Sequence, residues 1–376
     1  MYYFLILFPL LFSKIFGISN IYNILFIPCL SFLFLSRSSK AFNKKLSLLI
    51  FSIFTIVVFS FLVLGGDPLP FSVALLRSFS ISTVFLSILG LLPFNESLFN
   101  HFRWPIILSL PAILFLFNPP PIYSILGYAS DRNISPGIFD AYSLVGIFPT
   151  SFYLSQLLSA VLIYKISPIF RQYDFKILPF VNENIDRIIL ILALVLTNRK
   201  VFLILLLFYP ISSLIKSMIT IFKKLRIRKE IFNNLVLRLI LISAIFAVFA
   251  FGLPNFSFSS LLDQILERLQ YYTQYAFAPW SESFAETGMM VIYKYGGTFL
   301  FIITWFMLLG SFIYSLYKFR LSKISDFLIA YTLIILLLFK EAATIFSPSP
   351  SSLVLLMVIS MLINSSRSSE TRIETK

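Results

Sequence analysis

Apolar residues in this chain come in runs of about 15–20, divided by short polar clusters rich in Lys and Arg. A run of that length, wound as helix, crosses roughly 30 Å of hydrocarbon. The runs predict twelve spans, at about 2–18, 20–35, 46–64, 72–92, 104–118, 146–164, 187–198, 200–215, 234–252, 289–313, 325–340 and 351–363. Helix is the expected form because lipid cannot satisfy open backbone groups. A membrane β-barrel would alternate with period two, and runs such as Leu190–Leu196 and Ile334–Phe339 do not alternate. The expected fold class is therefore all-α: a polytopic membrane helix bundle of about 12 transmembrane helices, forming a single domain over 1–376. The piece at 187–198 fits least well, because about twelve residues make only about 18 Å of helix. It reads as a short tilted span, half of a re-entrant pair, or the start of one long helix through position 215.

Composition agrees with that class. Of 376 residues, 59% are hydrophobic and only 12% are charged, and the mean hydropathy is +0.92. A soluble domain carries about 25% charged residues. The start, Met1-Tyr2-Tyr3-Phe4, has no basic region and no small-residue cleavage site near position 20, so it reads as a first span and not a removable signal. The single cysteine, Cys29, excludes an internal disulfide.

The net charge of +14 does not point to nucleic acid. If the spans alternate, 22 of the 30 basic residues fall on one side, in clusters around 37–45, 165–187, 216–238, 318–323 and 367–376, with Arg103. Such a bias reports orientation, and places that side and both termini in the cytoplasm. Nucleic-acid readers gather their charge on one soluble face. The other eight are Lys14, Arg77, Arg132, Arg199, Lys200, Arg268, Lys294 and Lys340.

Two loops on the opposite, outer side are long, 119–145 and 253–288, each broken by Pro and Gly. In the second, Leu262, Ile265, Leu269 and Tyr272 recur at helical spacing, as in an amphipathic helix lying on the membrane surface or capping the bundle.

Familiar catalytic signatures are missing. No phosphate-binding Gly-rich loop precedes a Lys-Ser/Thr. One His and one Cys cannot build a usual zinc or haem site, so neither metal nor cofactor is expected. His101, in a short loop beside Arg103, reads as a surface or interface residue. The informative groups are ionisable residues at membrane depth or outside it, where they are costly and so mark candidate sites. Thr197-Asn198-Arg199-Lys200 sets two cations at the outer end of adjacent spans. Arg offers a fork of donors for phosphate oxygens and Lys adds a point charge; snorkelling to the interface is the plainer alternative. A second group is Arg268, Tyr271, Tyr272, Pro279, Trp280, Glu282, Glu286 and Gly288. Sugars stack their C–H faces on such rings and donate hydroxyls to such carboxylates. The plainer alternative there is an interfacial aromatic belt. Lys340-Glu341 lies at the outer end of the eleventh span, Arg77 near the outer end of the fourth, and Asp131, Arg132 and Asp140 lie in the first long loop.

Those residues give the chain a resemblance to the O-antigen polymerase and ligase superfamily, the Wzy-type polymerases in particular. The family commonly has an apolar helix ending in a Thr-x-Ser-Arg-Gly/Lys-like turn, and here the turn is Leu196-Thr197-Asn198-Arg199-Lys200. It also has a large periplasmic loop with an Arg near its start and a Glu-x-Gly-like step into the next helix. Here these are Glu267-Arg268-Leu269 and Glu286-Thr287-Gly288. Asn198 departs from the commoner Ser. No His occurs on the outer side, where the ligases use one, which leaves the polymerase.

The resemblance implies glycosyl transfer at the periplasmic face of a bacterial inner membrane, without metal or nucleotide sugar. A glycan on undecaprenyl diphosphate is the donor, and a lipid-linked repeat unit is the acceptor. It assigns the leaving diphosphate to Arg199 and Arg268, with Lys200 assisting, and a base to Glu282 or Glu286. It assigns substrate contacts to Arg77, Tyr271, Tyr272, Trp280 and Lys340. The implied partners are undecaprenyl-diphosphate-linked oligosaccharides, membrane lipid and a chain-length regulator protein. The alternative from another class is a flippase for the same lipid-linked oligosaccharide, which would carry charge deep in several spans.

Overall fold

A computed structural model describes residues 10–11, 19–35, 44–64, 70–115, 128–130, 142–170, 177, 181–197, 288–318, 323–339 and 348–367. These are mostly helical. In chain order the elements are α1 (Ser19–Ile24), α2 (Phe26–Leu35), α3 (Lys44–Phe59), α4 (Phe71–Leu89), α5 (Glu96–His101), α6 (Arg103–Ser109), a short antiparallel pair β1 (Tyr128–Ser130) and β2 (Tyr142–Leu144), α7 (Ser151–Ile166), α8 (Glu183–Leu196), α9 (Gly288–Tyr317), α10 (Ile324–Phe339) and α11 (Pro350–Arg367). Three of them, α4, α9 and α11, are long and apolar enough to cross a membrane.

Local chemistry sets the ends. α4 stops at Gly90, whose φ of 73° lets its N–H and that of Leu91 turn back onto the Leu86 and Ser87 carbonyls. Asn95 caps α5 by accepting the Leu98 N–H at 3.1 Å, and Asn182 caps α8 by accepting the Asn184 N–H at 3.1 Å. Glu183 and Asp186 then stand in the first turn of α8, where the helix dipole favours negative charge. Several hydroxyls inside the helices are satisfied locally: Ser78, Thr83 and Thr304 each donate to a carbonyl four residues back.

Several expected spans differ in detail. The run at 104–118 is not one regular α-helix: Pro105 lies in the first turn of α6, and at Pro111 the chain is already a tight 3-10 turn, Leu110–Phe115. The run at 20–35 breaks into α1 and α2 at a turn on Leu25, three residues before Pro28. The doubtful piece at 187–198 is a capped helix that starts earlier, at Glu183. His101, expected as a surface or interface residue, is buried, with its Nδ1 on the Ser97 carbonyl.

α11 is the hub. It packs against α4, α7 and α10, and nearly all of its residues and those of α7 are buried. Side-chain links show how the helix ends are grouped. At one end, Arg367 reaches the Leu89 carbonyl at 2.6 Å and the Ser311 and Ser315 hydroxyls at 2.6 and 2.7 Å. Tyr331 bonds the same two serines. Lys165 pairs with Asp186, both buried, and Ser167 donates to Asp326 at 3.0 Å. Tyr164 stacks between Phe99 and Phe170 beside them. The ends of α4, α7, α9 and α11 thus meet the starts of α8 and α10. At the other end, Tyr22 bonds Ser351 at 2.6 Å and Tyr153 donates to Asn23 at 2.7 Å.

The interior is mainly apolar but also holds Ser, Thr, Gln and a few charged side chains between helices, and large apolar side chains are exposed on the outside as well. On α9, Phe299, Ile302, Phe306, Leu309, Ile313 and Leu316 form an exposed stripe at helical spacing. Leu48, Phe51, Phe59 and Val63 are exposed on α3 and its π-helical extension Ser60–Leu64. An outward apolar surface of this extent suits a hydrocarbon surround rather than water.

Candidate functional site

Of the site residues expected from the sequence, Arg77 lies within the described residues. It sits in the second turn of α4 with 5% of its surface exposed. Its guanidinium lies over the Tyr295 ring, 4.4 Å from the centroid. That distance is a cation–π contact, and burial removes the water that would weaken it. Lys294, half-buried, brings its ammonium to 5.5 Å from the same centroid. Two cations from two helices therefore share one aromatic ring.

The backbone fixes this meeting. α9 contains a break at Gly297, with φ of 81°, a region that favours glycine. A Cβ at that position would stand 2.5 Å from the Leu64 carbonyl oxygen. The absence of a side chain lets the last turn of the π segment after α3 press against α9. The break separates the first turns of α9, which carry Tyr293, Lys294 and Tyr295, from the long apolar stripe after it. Gly296 also lies against that segment, with Phe61 among its neighbours.

The remaining candidates, Arg199, Lys200, Arg268, Tyr271, Tyr272, Trp280, Glu282, Glu286 and Lys340, lie outside the described residues, as do Asp131, Arg132 and Asp140. The helices next to them are described. Thr197 ends α8, fully buried, with its hydroxyl donating to the Leu194 carbonyl at 2.6 Å, and stands two positions before Arg199. Gly288 starts α9 two positions after Glu286, and Phe339 ends α10 one position before Lys340. All three helix termini lie at the end of the bundle opposite Arg367, and Arg77 lies toward that same end.

Lys294 and Tyr295 were not singled out by the sequence. The usable signal was a lone lysine inside an apolar run with tyrosines on both sides, Tyr293-Lys294-Tyr295. Among the described residues no three His, Cys, Asp or Glu side chains converge as metal ligands would. An open apolar groove of about 650 Å³ runs along α3, lined by Phe51, Phe54, Val58, Leu62 and, from α4, Phe79. No family model, curated protein or solved structure matches the chain.

Proposed function

We propose that the chain is a surface-polysaccharide polymerase of the O-antigen type, a bundle of about twelve spans in a bacterial inner membrane with both termini in the cytoplasm. It transfers a growing glycan from undecaprenyl diphosphate onto a lipid-linked repeat unit at the periplasmic face. The observation that carries the reading is the gathering of helix ends. The termini that lead into Arg199, Glu286 and Lys340 share the end of the bundle toward which buried Arg77 lies on Tyr295.

The chemistry follows from the donor. The acceptor hydroxyl attacks the anomeric carbon and the bond to the lipid diphosphate breaks. Diphosphate leaves as a stable anion, so fixed positive charge is needed more than a proton. Arg199 and Arg268 supply that charge, with Lys200 assisting and Arg77 among the substrate contacts. Glu282 or Glu286 takes the proton of the attacking hydroxyl. Tyr271, Tyr272 and Trp280 offer faces for the sugar rings.

The test uses purified protein in lipid with an undecaprenyl-diphosphate repeat unit and no nucleotide sugar. Wild type should yield a ladder of longer glycans, and Arg199→Ala and Arg268→Ala should lose it while remaining folded. A wild type that makes no ladder from its native repeat unit, yet moves that lipid between leaflets, would establish the flippase instead.

A further inference from the structure

We propose that Arg367 is the centre of a latch that keeps the bundle closed at its own end, so that the helices part, when they part, at the opposite end, where Arg77 lies. The inference concerns which end opens and does not depend on the sugar chemistry above. One guanidinium joins four helices. From the last position of α11, Nε donates to the Ser315 hydroxyl at 2.7 Å and Nη1 to the Leu89 carbonyl at 2.6 Å. Nη2 donates to the Ser311 hydroxyl at 2.6 Å, and lies 3.3 Å from the Ser311 carbonyl, 3.4 Å from the Tyr331 hydroxyl and 3.5 Å from the Ile88 carbonyl. The guanidinium also stands 5.2 Å from the Tyr314 ring centroid. A single side chain thereby ties α4, α9 and α10 to α11.

The hydroxyls around it have one consistent order. Ser311 donates to the Ile88 carbonyl at 2.5 Å, so its oxygen accepts from both Arg367 and Tyr331. Tyr331 has one proton and gives it to Ser311, so at 2.7 Å from Ser315 it accepts. The bonds run one way, from Ser315 to Tyr331 to Ser311 to the Ile88 carbonyl, and the guanidinium donates to both serines. Bonds in such a chain polarise and strengthen one another. Ser311, Ser315 and Tyr331 are buried, so losing the guanidinium strips buried acceptors of their donor, which is costly.

The charge also sits where helix ends offset it. Ile88 and Leu89 close α4, and α11 ends at Arg367 itself. The last carbonyls of a helix lack a partner within it and carry partial negative charge, which favours a cation. At its other end α11 is held by a neutral pair, Tyr22 on Ser351 at 2.6 Å, and neutral hydrogen bonds are roughly half as strong as charge-assisted ones. A transporter that works by alternating access must part its helices at both ends in turn. A latch at one end favours a site served from the other face alone.

The test uses the full chain in lipid nanodiscs, in a Cys29→Ser background, with pairs of spin labels read by pulsed electron spin resonance. One pair, Tyr317→Cys with Asn364→Cys, spans the latch from exposed positions on α9 and α11. The other, Phe71→Cys with Ile335→Cys, spans α4 and α10 toward the opposite end, also from exposed positions. Each pair is compared with and without Arg367→Met, Arg367→Lys and Tyr331→Phe. With the latch intact, its pair should give one narrow distance. Arg367→Met should add a longer population. Arg367→Lys should add a smaller one, because an ammonium is a point charge and cannot span the same acceptors. Tyr331→Phe should do likewise by cutting the hydroxyl chain, while its ring stays packed on Phe312 and Phe327. The Phe71–Ile335 pair should keep its distribution throughout. An unchanged latch pair in Arg367→Met overturns the proposal; should that variant not fold, an unchanged pair in Arg367→Lys and Tyr331→Phe does so. Equal broadening of both pairs, which is general loosening, overturns it too, as does an intact latch whose pair already shows two distances.

Discussion

Single residues in this protein carry charge where charge is expensive. Lys165 and Asp186 form a buried pair at the Arg367 end, and Asp186 also accepts the Ile177 N–H at 3.4 Å. Breaking such a pair leaves one ion uncompensated, whereas replacing both with apolar groups can be nearly neutral. Asp186→Asn should therefore lower stability by roughly 3–5 kcal/mol, with the double change Lys165→Met and Asp186→Leu recovering most of it. Thermal unfolding in detergent measures both; a double variant as weak as the single would contradict the account. Arg77 belongs to the same scale, and the proposed function gives it a role in binding substrate. Arg77→Gln should cut glycan elongation about tenfold or more, with Arg77→Lys intermediate, because a point charge replaces a fork. Arg77 was legible in the sequence as a lone cation near a span end. Its partner was not, because Tyr295 and Arg77 are distant in the chain and meet only through the packing of α4 on α9. His101, read as a surface or interface residue, is buried, as are Phe99 and Phe102 near it in the chain.

Among the elements, the broken ones carry the most information. Helices without interruption, such as α4 and α11, follow from apolar runs ended by Gly90 or begun at Pro350. Breaks are harder to read. Pro105 and Pro111 could have split the expected span at 104–118, since proline removes a donor and crowds the preceding turn. The Gly297 break had no comparable signal, because a glycine within an apolar run is consistent with a continuous helix as well. What decides it is the approach of the Leu64 carbonyl, a long-range event. Gly297→Ala should destabilise by about 1–3 kcal/mol, since it adds both left-handed strain and a clash with that backbone oxygen. Gly310, with nothing within 4 Å of an added Cβ, is the contrast. Gly310→Ala should be neutral or stabilising by about 0.5–1 kcal/mol, because alanine has less backbone freedom to lose from the unfolded chain. The difference in melting temperature between these two variants tests whether the break is enforced by packing.

For the whole molecule, the apolar runs predicted an all-α chain, and the described residues are mostly helical, with three helices long and apolar enough to cross a membrane. The sequence could not say which helix stands at the centre. α11 is no more apolar than its neighbours, yet it packs against α4, α7 and α10 and buries nearly all of its residues. Nor could the sequence identify the outward face of α9, whose exposed Phe306 and Ile313 are 72% and 64% accessible. A lysine placed at Phe306 should cost roughly 2.5–3.5 kcal/mol in a membrane-insertion assay. Single cysteines in a Cys29→Ser background, at Phe71 near one end and Tyr317 near the other, should react with an impermeant maleimide from opposite sides of the membrane. Reaction from one side alone would contradict the bundle's orientation. The central claim, however, concerns chemistry at the Arg77 end: each sugar linkage formed must release one lipid diphosphate. The most direct measurement counts free polyprenyl diphosphate by mass spectrometry as purified protein lengthens a lipid-linked repeat unit. One released diphosphate per new linkage, without nucleotide sugar, is the predicted result. Transfer of the intact lipid-linked unit between leaflets, with no diphosphate released and no linkage formed, would contradict it.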